Sequence, residues 1–304
     1  MKYDFSNIKV LLIGDFMLDH YIFGSSNRMS PEAPVPVVIP KKDFYVPGGA
    51  GNVAINLSSL GANIDCIGIV GKDKSGDKLI SLLNDKDINT NNIKSIDNYQ
   101  TTLKKRIYSN GKQLVRLDSE EIIDWNPKKI KIDYENYDLI LFSDYNKGVI
   151  NSKWPNIPQM DKVIVDPKKK DMNCYRGANI ITPNLNELQQ ITNQKIKTND
   201  SIVEACNNLI KEFDFNYVLA KKGSGGMSIV GKNNFVKHLD AHKVENPDVT
   251  GAGDTAICAL SLAYTLSNDL IKSVKFANAA AALAVSKPGT AKVTIEEINN
   301  YISL

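Results

Sequence analysis

The sequence predicts an α/β protein with a doubly wound, mostly parallel sheet flanked by helices. Short runs rich in Val, Ile and Leu alternate with longer amphipathic stretches over most of the 304 residues, a pattern typical of parallel strands joined by helical crossovers. Polar residues collect where the apolar runs end, which is where ligands bind in such sheets. No internal repeat is visible, and the length suits one large core, so we expect a single domain over 1–304.

The strands of this sheet are predicted from six apolar runs bounded by turn residues. Because parallel strands end at the same edge of a sheet, polar residues that follow them should lie close together. Those residues are Asp15, Asp144, Asp166 and Asn184. The six runs are 9–15, 65–71, 138–144, 162–167, 179–184 and 217–223.

Helices are predicted where apolar residues recur three or four positions apart. They cover 52–61, 77–85, 200–213 and two segments after residue 254. The Asn-rich stretch 88–98 has no such pattern, and we predict a surface loop there.

Two segments, 16–46 and 99–118, do not fit the alternation. The first combines aromatic and β-branched residues with four prolines. In the second, Asn110-Gly111 is a strong signal for a type I′ hairpin turn. We expect the two segments to form a small β lid over the ligand-binding edge of the sheet; a rigid edge hairpin is the alternative.

Charge, cysteine content and hydropathy exclude several classes of protein. The net charge of +3 comes without a long basic tract, so no nucleic-acid surface is predicted. The four cysteines lie far apart with no C-x-x-C pair, which gives no zinc or disulfide pattern. The apolar run near the N-terminus is too short, and its flanks are too acidic, for a signal peptide. No uncharged apolar run reaches the roughly 18 residues that a membrane helix needs. We therefore expect a cytoplasmic protein without a membrane span.

The segment PDVTGAGDTAICAL, residues 247–260, carries the clearest chemical signature. Its two glycines allow a tight turn whose N–H groups point to one side, and the helix that follows adds its positive end, so the turn can bind phosphate. Asp254 should lie in the first turn of that helix, where the dipole holds it ionised and where it can accept the proton of a hydroxyl attacking phosphorus. The alternative is that Asp254 only stabilises the start of the helix.

Three further motifs could complete a phosphoryl-transfer site. In TPNLNEL, Asn184 and Glu187 are spaced to face one site and to hold Mg²⁺ through water, although this is also the spacing of a capping box. The glycine-rich loop 221–229 follows a predicted strand but lacks the spacing of a P-loop. An earlier glycine cluster begins a helix and presents Asn52, which can hydrogen-bond a polyol.

Seven motifs, in order along nearly the whole chain, resemble the ribokinase-like (PfkB) family of carbohydrate kinases. The narrower signatures among them are SPEAPVPVV, SDYNKG and the stretch 166–184. Through these signatures the chain most closely resembles kinases of D-glycero-β-D-manno-heptose 7-phosphate, which act in lipopolysaccharide precursor synthesis. The seven motifs are GDFMLDHY, SPEAPVPVV, PGGAGNVAINLSSLGA, SDYNKG, VDPK, TPNLNE and DVTGAGDT.

The resemblance implies a role toward ATP and Mg²⁺ for each matching residue. Asp254 matches the catalytic base, while Asn184 and Glu187 match a pair that serves Mg²⁺ and phosphate. The nucleotide loop departs from the family in carrying Lys221 and Lys222, where small or apolar residues are common. The implied anion hole is Gly251, Ala252 and Gly253, and the implied nucleotide-binding positions are Lys222, Gly223, Gly226 and Asn278.

The resemblance also implies a set of sugar-binding residues. Asp15 would offer two acceptor oxygens to adjacent hydroxyls. A phosphorylated sugar also needs cations, and Arg106 and Lys168 are preferred over Arg116 and Lys147 because they accompany the narrower motifs. The implied positions are Asp15, Gly48, Gly49, Asn52, Arg106, Asp144 and Lys168.

A monovalent cation such as K⁺ is implied at Asp248, together with backbone from 286–289, because many relatives hold a cation there. A turn-forming aspartate is the simpler alternative.

The expected activity is ATP-dependent phosphorylation of the C1 hydroxyl of the heptose 7-phosphate, to give the 1,7-bisphosphate. Closure of the lid would exclude water, and lids packed together would form a homodimer, as in relatives. Related bifunctional enzymes carry a nucleotidyltransferase domain after the kinase; this chain has no room for one, so we expect a separate protein to add the nucleotide.

Three alternatives to this activity remain. One is another kinase of the family that acts on ribose, fructose, a fructose phosphate or a nucleoside. Another is a non-catalytic sugar or nucleotide sensor. The third is a Rossmann dehydrogenase, although the first predicted strand ends in GDFMLD rather than G-x-G-x-x-G.

Overall fold

A computed structural model describes residues 3–127, 130–154, 157, 161–169, 171–287, 289 and 292–302. Within these ranges the strands are β1 (Lys9–Gly14), β2 (Phe16–Ser25), β3 (Ile39–Gly49), β4 (Asn63–Gly71), β5 (Asn89–Ile96), β6 (Leu103–Ser109), β7 (Lys112–Ser119), β8 (Leu139–Ser143), β9 (Val163–Asp166), β10 (Ile180–Ile181), β11 (Tyr217–Lys221), β12 (Met227–Gly231) and β13 (Phe235–Leu239). They form a nine-stranded sheet of order β13-β12-β11-β10-β9-β8-β1-β4-β5 and a four-stranded sheet of order β3-β2-β6-β7.

The large sheet is parallel except at one edge. β1 lies between β4 and β8 and is parallel to both. At that edge β12 is antiparallel to β11, and the outermost strand β13 is antiparallel to β12. The predicted fold class is therefore confirmed. The stretch after 221 is a short 3₁₀ turn leading into β12, so the predicted glycine loop is the hairpin that reverses the chain.

Helices cover both faces of the large sheet. Along β1, Val10 and Leu12 pack into one apolar cluster with α1, α2, α5, α6 and α7, whereas Leu11 and Ile13 pack into the other with α3 and α4. This alternation places one layer of helices on each side of a doubly wound sheet. The helices are α1 (Ala50–Ser59), α2 (Lys74–Asn84), α3 (Leu185–Thr192), α4 (Asn199–Phe213), α5 (Ala252–Ser267), α6 (Leu270–Val285) and α7 (Ile295–Ile302).

One predicted loop is in fact a strand. The Asn-rich stretch forms β5, which pairs with β4 at the edge of the sheet. In β5 Ile93 is the one buried residue, while Asn and Lys side chains face outward. The prediction was wrong because an edge strand with so small an apolar face has little of the alternation that identifies strands.

The predicted lid segments form the four-stranded sheet. β2 pairs with β3 and β6, and β7 completes the sheet as the partner of β6. Asn110 and Gly111 both have positive φ, 48° and 80°, as a type I′ turn requires. The β element is therefore present, and its movement as a lid stays a prediction.

The lack of a side chain at Gly148 lets its loop lie directly against the backbone of Ile123. A Cβ at Gly148, whose φ is +103°, would lie 1.7 Å from the carbonyl oxygen of Ile123, whereas Gly61 has a similar φ of +99° with nothing within 4 Å. We expect Gly148→Ala to lower the free energy of unfolding by about 3 kcal/mol or more and Gly61→Ala by about 1 kcal/mol, since only the first adds a clash to backbone strain. Urea denaturation measures both, and equal losses would contradict the prediction.

The helices of the described ranges are short or polar relative to a membrane span. None of the helices there is both long enough and apolar enough to cross a bilayer.

Candidate active site

Asp254 lies where three elements meet. It occupies the first turn of α5, which starts after Gly251, a residue with a φ of 74°. Its Oδ2 accepts a hydrogen bond of 2.6 Å from Asn52 Nδ2 of α1, and its Oδ1 accepts one of 2.8 Å from the Tyr145 hydroxyl. The side chain is partly exposed, so a ligand can reach it. The predicted position in the first helical turn is confirmed.

The pKa of Asp254 is raised above its ordinary value. Burial is the main cause, and the neighbouring Asp166 carboxylate adds to it, while hydrogen bonds from Asn52 and Tyr145 act in the opposite direction. The helix dipole is predicted to hold this group ionised, and burial acts against that effect. A carboxylate with a raised pKa is a stronger proton acceptor once it is ionised.

Asp15 holds the loop that carries Tyr145. Its carboxylate accepts hydrogen bonds from the backbone N–H groups of Tyr145 (2.7 Å), Lys147 (3.0 Å) and Val149 (3.1 Å), and the residue is 2% exposed. Both oxygens therefore hold the loop after β8, the parallel neighbour of β1, and the sugar contact of Asp15 stays a prediction. Burial and the nearby Asp144 raise the pKa of Asp15 to about 7, although the three N–H groups favour the charged form.

Asp144 is likewise an internal residue. Its carboxylate accepts a 2.6 Å hydrogen bond from the N–H of Asn146 and another from the hydroxyl of buried Tyr175. Lys169 Nζ lies 3.5 Å away. With 2% of its surface exposed, Asp144 supports the loop that follows it, and its contact with sugar stays a prediction.

Asn184 and Glu187 form a capping box at the start of α3. Asn184 Oδ1 accepts from Glu187 N (2.9 Å), and Glu187 Oε2 accepts from Asn184 N (2.7 Å). The other Glu187 oxygen pairs with Lys168, whose ammonium also lies 5.8 Å from the centre of the Tyr145 ring. Lys168, predicted to contact sugar, is thus held by the predicted metal residue. Burial lowers the pKa of Lys168, but Glu187, with Asp166 and Asp254, outweighs burial and raises it.

Two charged residues of this site were missed from the sequence. Lys221 Nζ lies 2.5 Å from Asp166 Oδ1, which also accepts a 2.8 Å hydrogen bond from Thr182 Oγ1. Asp166 was noted only as a polar strand end, and Lys221 only as a departure from the family pattern. The signal available was position, because Asp166 lies one residue and Lys221 two residues before the end of a predicted strand.

The predicted nucleotide positions lie around the β11–β12 turn and α6. Lys222 N donates to Gly226 O (2.8 Å) and closes the turn. A Cβ at Gly226 would lie 2.1 Å from the carbonyl oxygen of Leu239, which explains the glycine there. Asn278 is buried and donates to the Asp240 carbonyl oxygen (2.7 Å). These residues, together with Gly223, keep their roles toward ATP as predictions.

Two predicted sugar positions, Arg106 and Gly48, lie next to Asp19, a carboxylate that was not predicted as a site residue. Asp19 is 7% exposed and pairs with Arg106 at 2.6 Å. A Cβ at Gly48 would lie 2.8 Å from Asp19 Oδ2, so this glycine leaves room for the carboxylate. Gly49, with a φ of +55°, precedes α1 and the side chain of Asn52.

Asp248 has a different environment from the other carboxylates. Its Oδ2 accepts from Gly289 N (2.7 Å) and its Oδ1 from Thr250 N (3.0 Å). Slight burial raises its pKa, but these N–H groups outweigh burial and lower it. Residue 288, part of the predicted cation site, lies outside the described residues.

The site fits a metal that arrives with phosphate. Across the described parts of the chain, no cluster of three or more His, Cys, Asp or Glu side chains could hold an ion alone. Mg²⁺ bound mainly by nucleotide phosphates and water needs only one or two carboxylates. Glu187, beside Asn184, supplies one at the correct edge of the sheet.

Named relatives match nearly the whole chain. The chain is 42% identical to a protein named Bifunctional protein HldE from Aliarcobacter butzleri (strain RM4018), over 97% of the chain. It is 37% identical to a protein of the same name from Haemophilus influenzae (strain ATCC 51907 / DSM 11121 / KW20 / Rd), over 98% of the chain. The chain spans 64% of the length of these relatives.

Solved structures share the fold. Arabidopsis thaliana ribokinase, complexed with ribose and ATP, has a TM-score of 0.76 at 19% identity, covering 98% of this chain and 99% of that one. Escherichia coli phosphofructokinase-2, in complex with potassium, has a TM-score of 0.74 at 19% identity, covering 97% and 98%. A sequence profile described as pfkB family carbohydrate kinase matches residues 7–297. The chain therefore belongs to the pfkB family of carbohydrate kinases, phosphotransferases with an alcohol group as acceptor.

Proposed function

We propose that the protein transfers the γ-phosphoryl group of ATP to the C1 hydroxyl of D-glycero-β-D-manno-heptose 7-phosphate, in the synthesis of ADP-heptose for the lipopolysaccharide core. The observation that carries the chemistry is Asp254, partly exposed beside the glycine turn of α5 and hydrogen-bonded to Asn52 and Tyr145. The motifs SPEAPVPVV and SDYNKG support the choice of sugar. The identity of 42% to a protein named Bifunctional protein HldE also supports it.

In this mechanism Asp254 acts as the general base. The sugar hydroxyl replaces one of its present partners, Asn52 or Tyr145, and gives its proton to the carboxylate as the sugar oxygen bonds to phosphorus. The bond between the γ-phosphorus and the bridging oxygen breaks, and ADP leaves. The N–H groups of the turn at Gly251, Ala252 and Gly253, with the positive end of α5, stabilise negative charge on the transferred group.

Metal ions have proposed places beside this reaction. Glu187, with Asn184, would hold Mg²⁺ through water, and bound Mg²⁺ neutralises charge on the phosphate oxygens. Asp248, with the N–H of Gly289 already directed at its carboxylate, would face a bound K⁺.

The phosphate of the sugar would be bound by cations of the cleft and lid. Arg106, Lys147 and Lys168 each pair with a carboxylate, Asp19, Glu120 and Glu187 respectively. A sugar phosphate can compete for these cations, and Arg106 offers bidentate geometry.

The remaining proposals concern the whole chain. We propose one kinase domain over 1–304 with lid segments at 16–46 and 99–118, a homodimer formed through the lid, and a cytoplasmic location. Exposed apolar side chains on β7, Val115 and Leu117 at 42% and 52%, support a lid surface that contacts a second copy.

A substrate panel under saturating MgATP tests the sugar. We expect turnover with the heptose 7-phosphate to exceed that with ribose, fructose, fructose 6-phosphate and adenosine by at least about a hundredfold in kcat/KM, because the other substrates lack either the heptose or its phosphate. Good turnover of an unphosphorylated pentose or hexose, with none of the heptose 7-phosphate, would establish another kinase of this family. No turnover of any acceptor, with intact ATP binding, would favour a sensor.

A further inference from the structure

Lys221 lies at the junction of the nucleotide turn and the Asn184 motif. It is the last residue of β11, and its backbone N–H donates to the Pro183 carbonyl oxygen at 2.9 Å. This contact places Lys221 directly beside Asn184, with which it forms a parallel bridge. The backbone of Lys221 is thus fixed by two strand ends, so its side chain starts from a defined point at the ligand-binding edge.

The side chain of Lys221 is held by one carboxylate. Its ammonium lies 2.5 Å from Asp166 Oδ1, and each of the two side chains is 15% exposed. Thr182 Oγ1 donates to the same Asp166 oxygen at 2.8 Å. Among the described residues, Asp166 is the one hydrogen-bond acceptor of this ammonium. Because an ammonium has three N–H donors, the remaining donors of Lys221 can bind an anion.

The ammonium also faces the glycine turn at the start of α5. A Cβ built at Gly253 would lie 3.8 Å from Lys221 Nζ, so the cation borders the turn whose N–H groups would receive phosphate. The positive charge of Lys221 also acts on Asp254, because it favours the ionised carboxylate and so lowers the pKa of Asp254. A phosphoryl group bound between the turn and Asp254 would therefore lie within reach of this ammonium.

We propose that Lys221 is a catalytic residue that contacts the transferred phosphoryl group and stabilises its charge, with Asp166 as the positioning residue that holds the ammonium. The inference rests on the proposed phosphoryl transfer, but it is independent of which sugar accepts the group.

The competing explanation is an ion pair with a purely structural role. In that case Lys221 only neutralises a carboxylate that would otherwise be buried without a partner. The two explanations differ in what they predict for nucleotides with and without a γ-phosphate. A structural pair would affect both nucleotides alike, whereas a phosphoryl contact affects only the one that carries the group.

Calorimetric binding of ADP and of the hydrolysis-resistant analogue AMP-PNP, each with Mg²⁺ and without sugar, tests the proposal. For Lys221→Met we expect about a tenfold or greater loss of AMP-PNP affinity and less than a twofold change for ADP, because one charge-assisted contact is removed. Turnover should fall about a hundredfold, with partial recovery in Lys221→Arg. The matched control is Lys232→Met, which breaks an exposed pair with Asp214 and should change neither affinity.

A second variant keeps the test valid if Lys221→Met does not fold. Lys221→Met combined with Asp166→Leu removes both charges and leaves no unpaired carboxylate; the same selective loss of AMP-PNP affinity is expected. Equal losses for ADP and AMP-PNP, or no loss, in the folded variant would overturn the inference. If the unaltered protein bound neither nucleotide, the proposed function itself would be wrong, and that result is distinct from the others.

Discussion

Replacing Asp254 with Asn should lower kcat by a factor of about a thousand or more while leaving ATP affinity nearly intact. An amide has a similar shape and can keep one of the hydrogen bonds that join this position to Asn52 and Tyr145, but it cannot accept the proton of the sugar hydroxyl. The loss should therefore appear in the chemical step and not in nucleotide binding. Steady-state kinetics and calorimetry with ATP measure the two quantities.

Asp269→Asn is the matched control for Asp254→Asn. Asp269 is the N-cap residue of α6, and its carboxylate accepts from Lys272 N at 3.0 Å. If Asp254 only stabilised the start of α5, the two variants would behave alike, with up to about 1 kcal/mol lost in stability and full activity. Full activity in Asp254→Asn would contradict its assignment as the base.

Asp15→Asn should destabilise the protein by about 3 kcal/mol at pH 7 and lower turnover by roughly a hundredfold. The carboxylate is surrounded by three backbone N–H groups, from Tyr145, Lys147 and Val149. In the variant an NH₂ group opposes at least one of these buried donors, and each unsatisfied donor costs about 1–3 kcal/mol. The loop would shift, and with it the Tyr145 hydroxyl that contacts the base. Urea denaturation and steady-state kinetics measure the two effects.

The Asp15 variant should also change how stability depends on pH. The pKa of Asp15 is raised to about 7 in the folded protein from an ordinary 3.8, so between these values the folded state binds more protons than the unfolded state. The stability that this group contributes is complete below about pH 4 and is lost as pH rises to 7, by at most about 1.4 kcal/mol per pH unit.

Because Asn does not titrate, the difference in unfolding free energy between the unaltered protein and Asp15→Asn should shrink over that range. Asp97→Asn, at an exposed pair with Lys72, should show a difference that stays within about 0.5 kcal/mol throughout. A difference that stays constant or grows from pH 4 to 7 in Asp15→Asn would show that Asp15 remains ionised in the folded protein.

Local patterns were enough to predict the framework of the fold. The continuous apolar run of β1 indicates a strand covered on both faces, and its residues do alternate between the two helical layers. Asn110-Gly111 specifies its own backbone conformation, so the hairpin could be predicted from two residues. Asp254 follows a glycine turn directly, so its place in the first turn of α5 could also be read locally.

The partners of the site carboxylates could not be predicted in the same way. Asp15 is about 130 residues from the loop that it holds, and only the order of strands brings β1 beside β8. Asp166 ends β9 and Lys221 ends β11, and both strands pair with the short strand β10 between them. The order of the strands therefore brings the two side chains together. A spacing pattern carries no information on such neighbours, which explains why Tyr145 and Lys221 were missed while Glu187 and Asn184, three residues apart, were found.

The polar outer strand β5 has a consequence for behaviour at high concentration. An unpaired strand edge is a template on which further chains can add, and long apolar edges lead to fibrils. In β5 exposed Asn89 and Lys94 side chains accompany a single buried Ile93, so recruitment of a second chain along this edge offers little apolar contact. The polar composition that makes this strand hard to predict from the sequence therefore disfavours aggregation through this edge of the sheet.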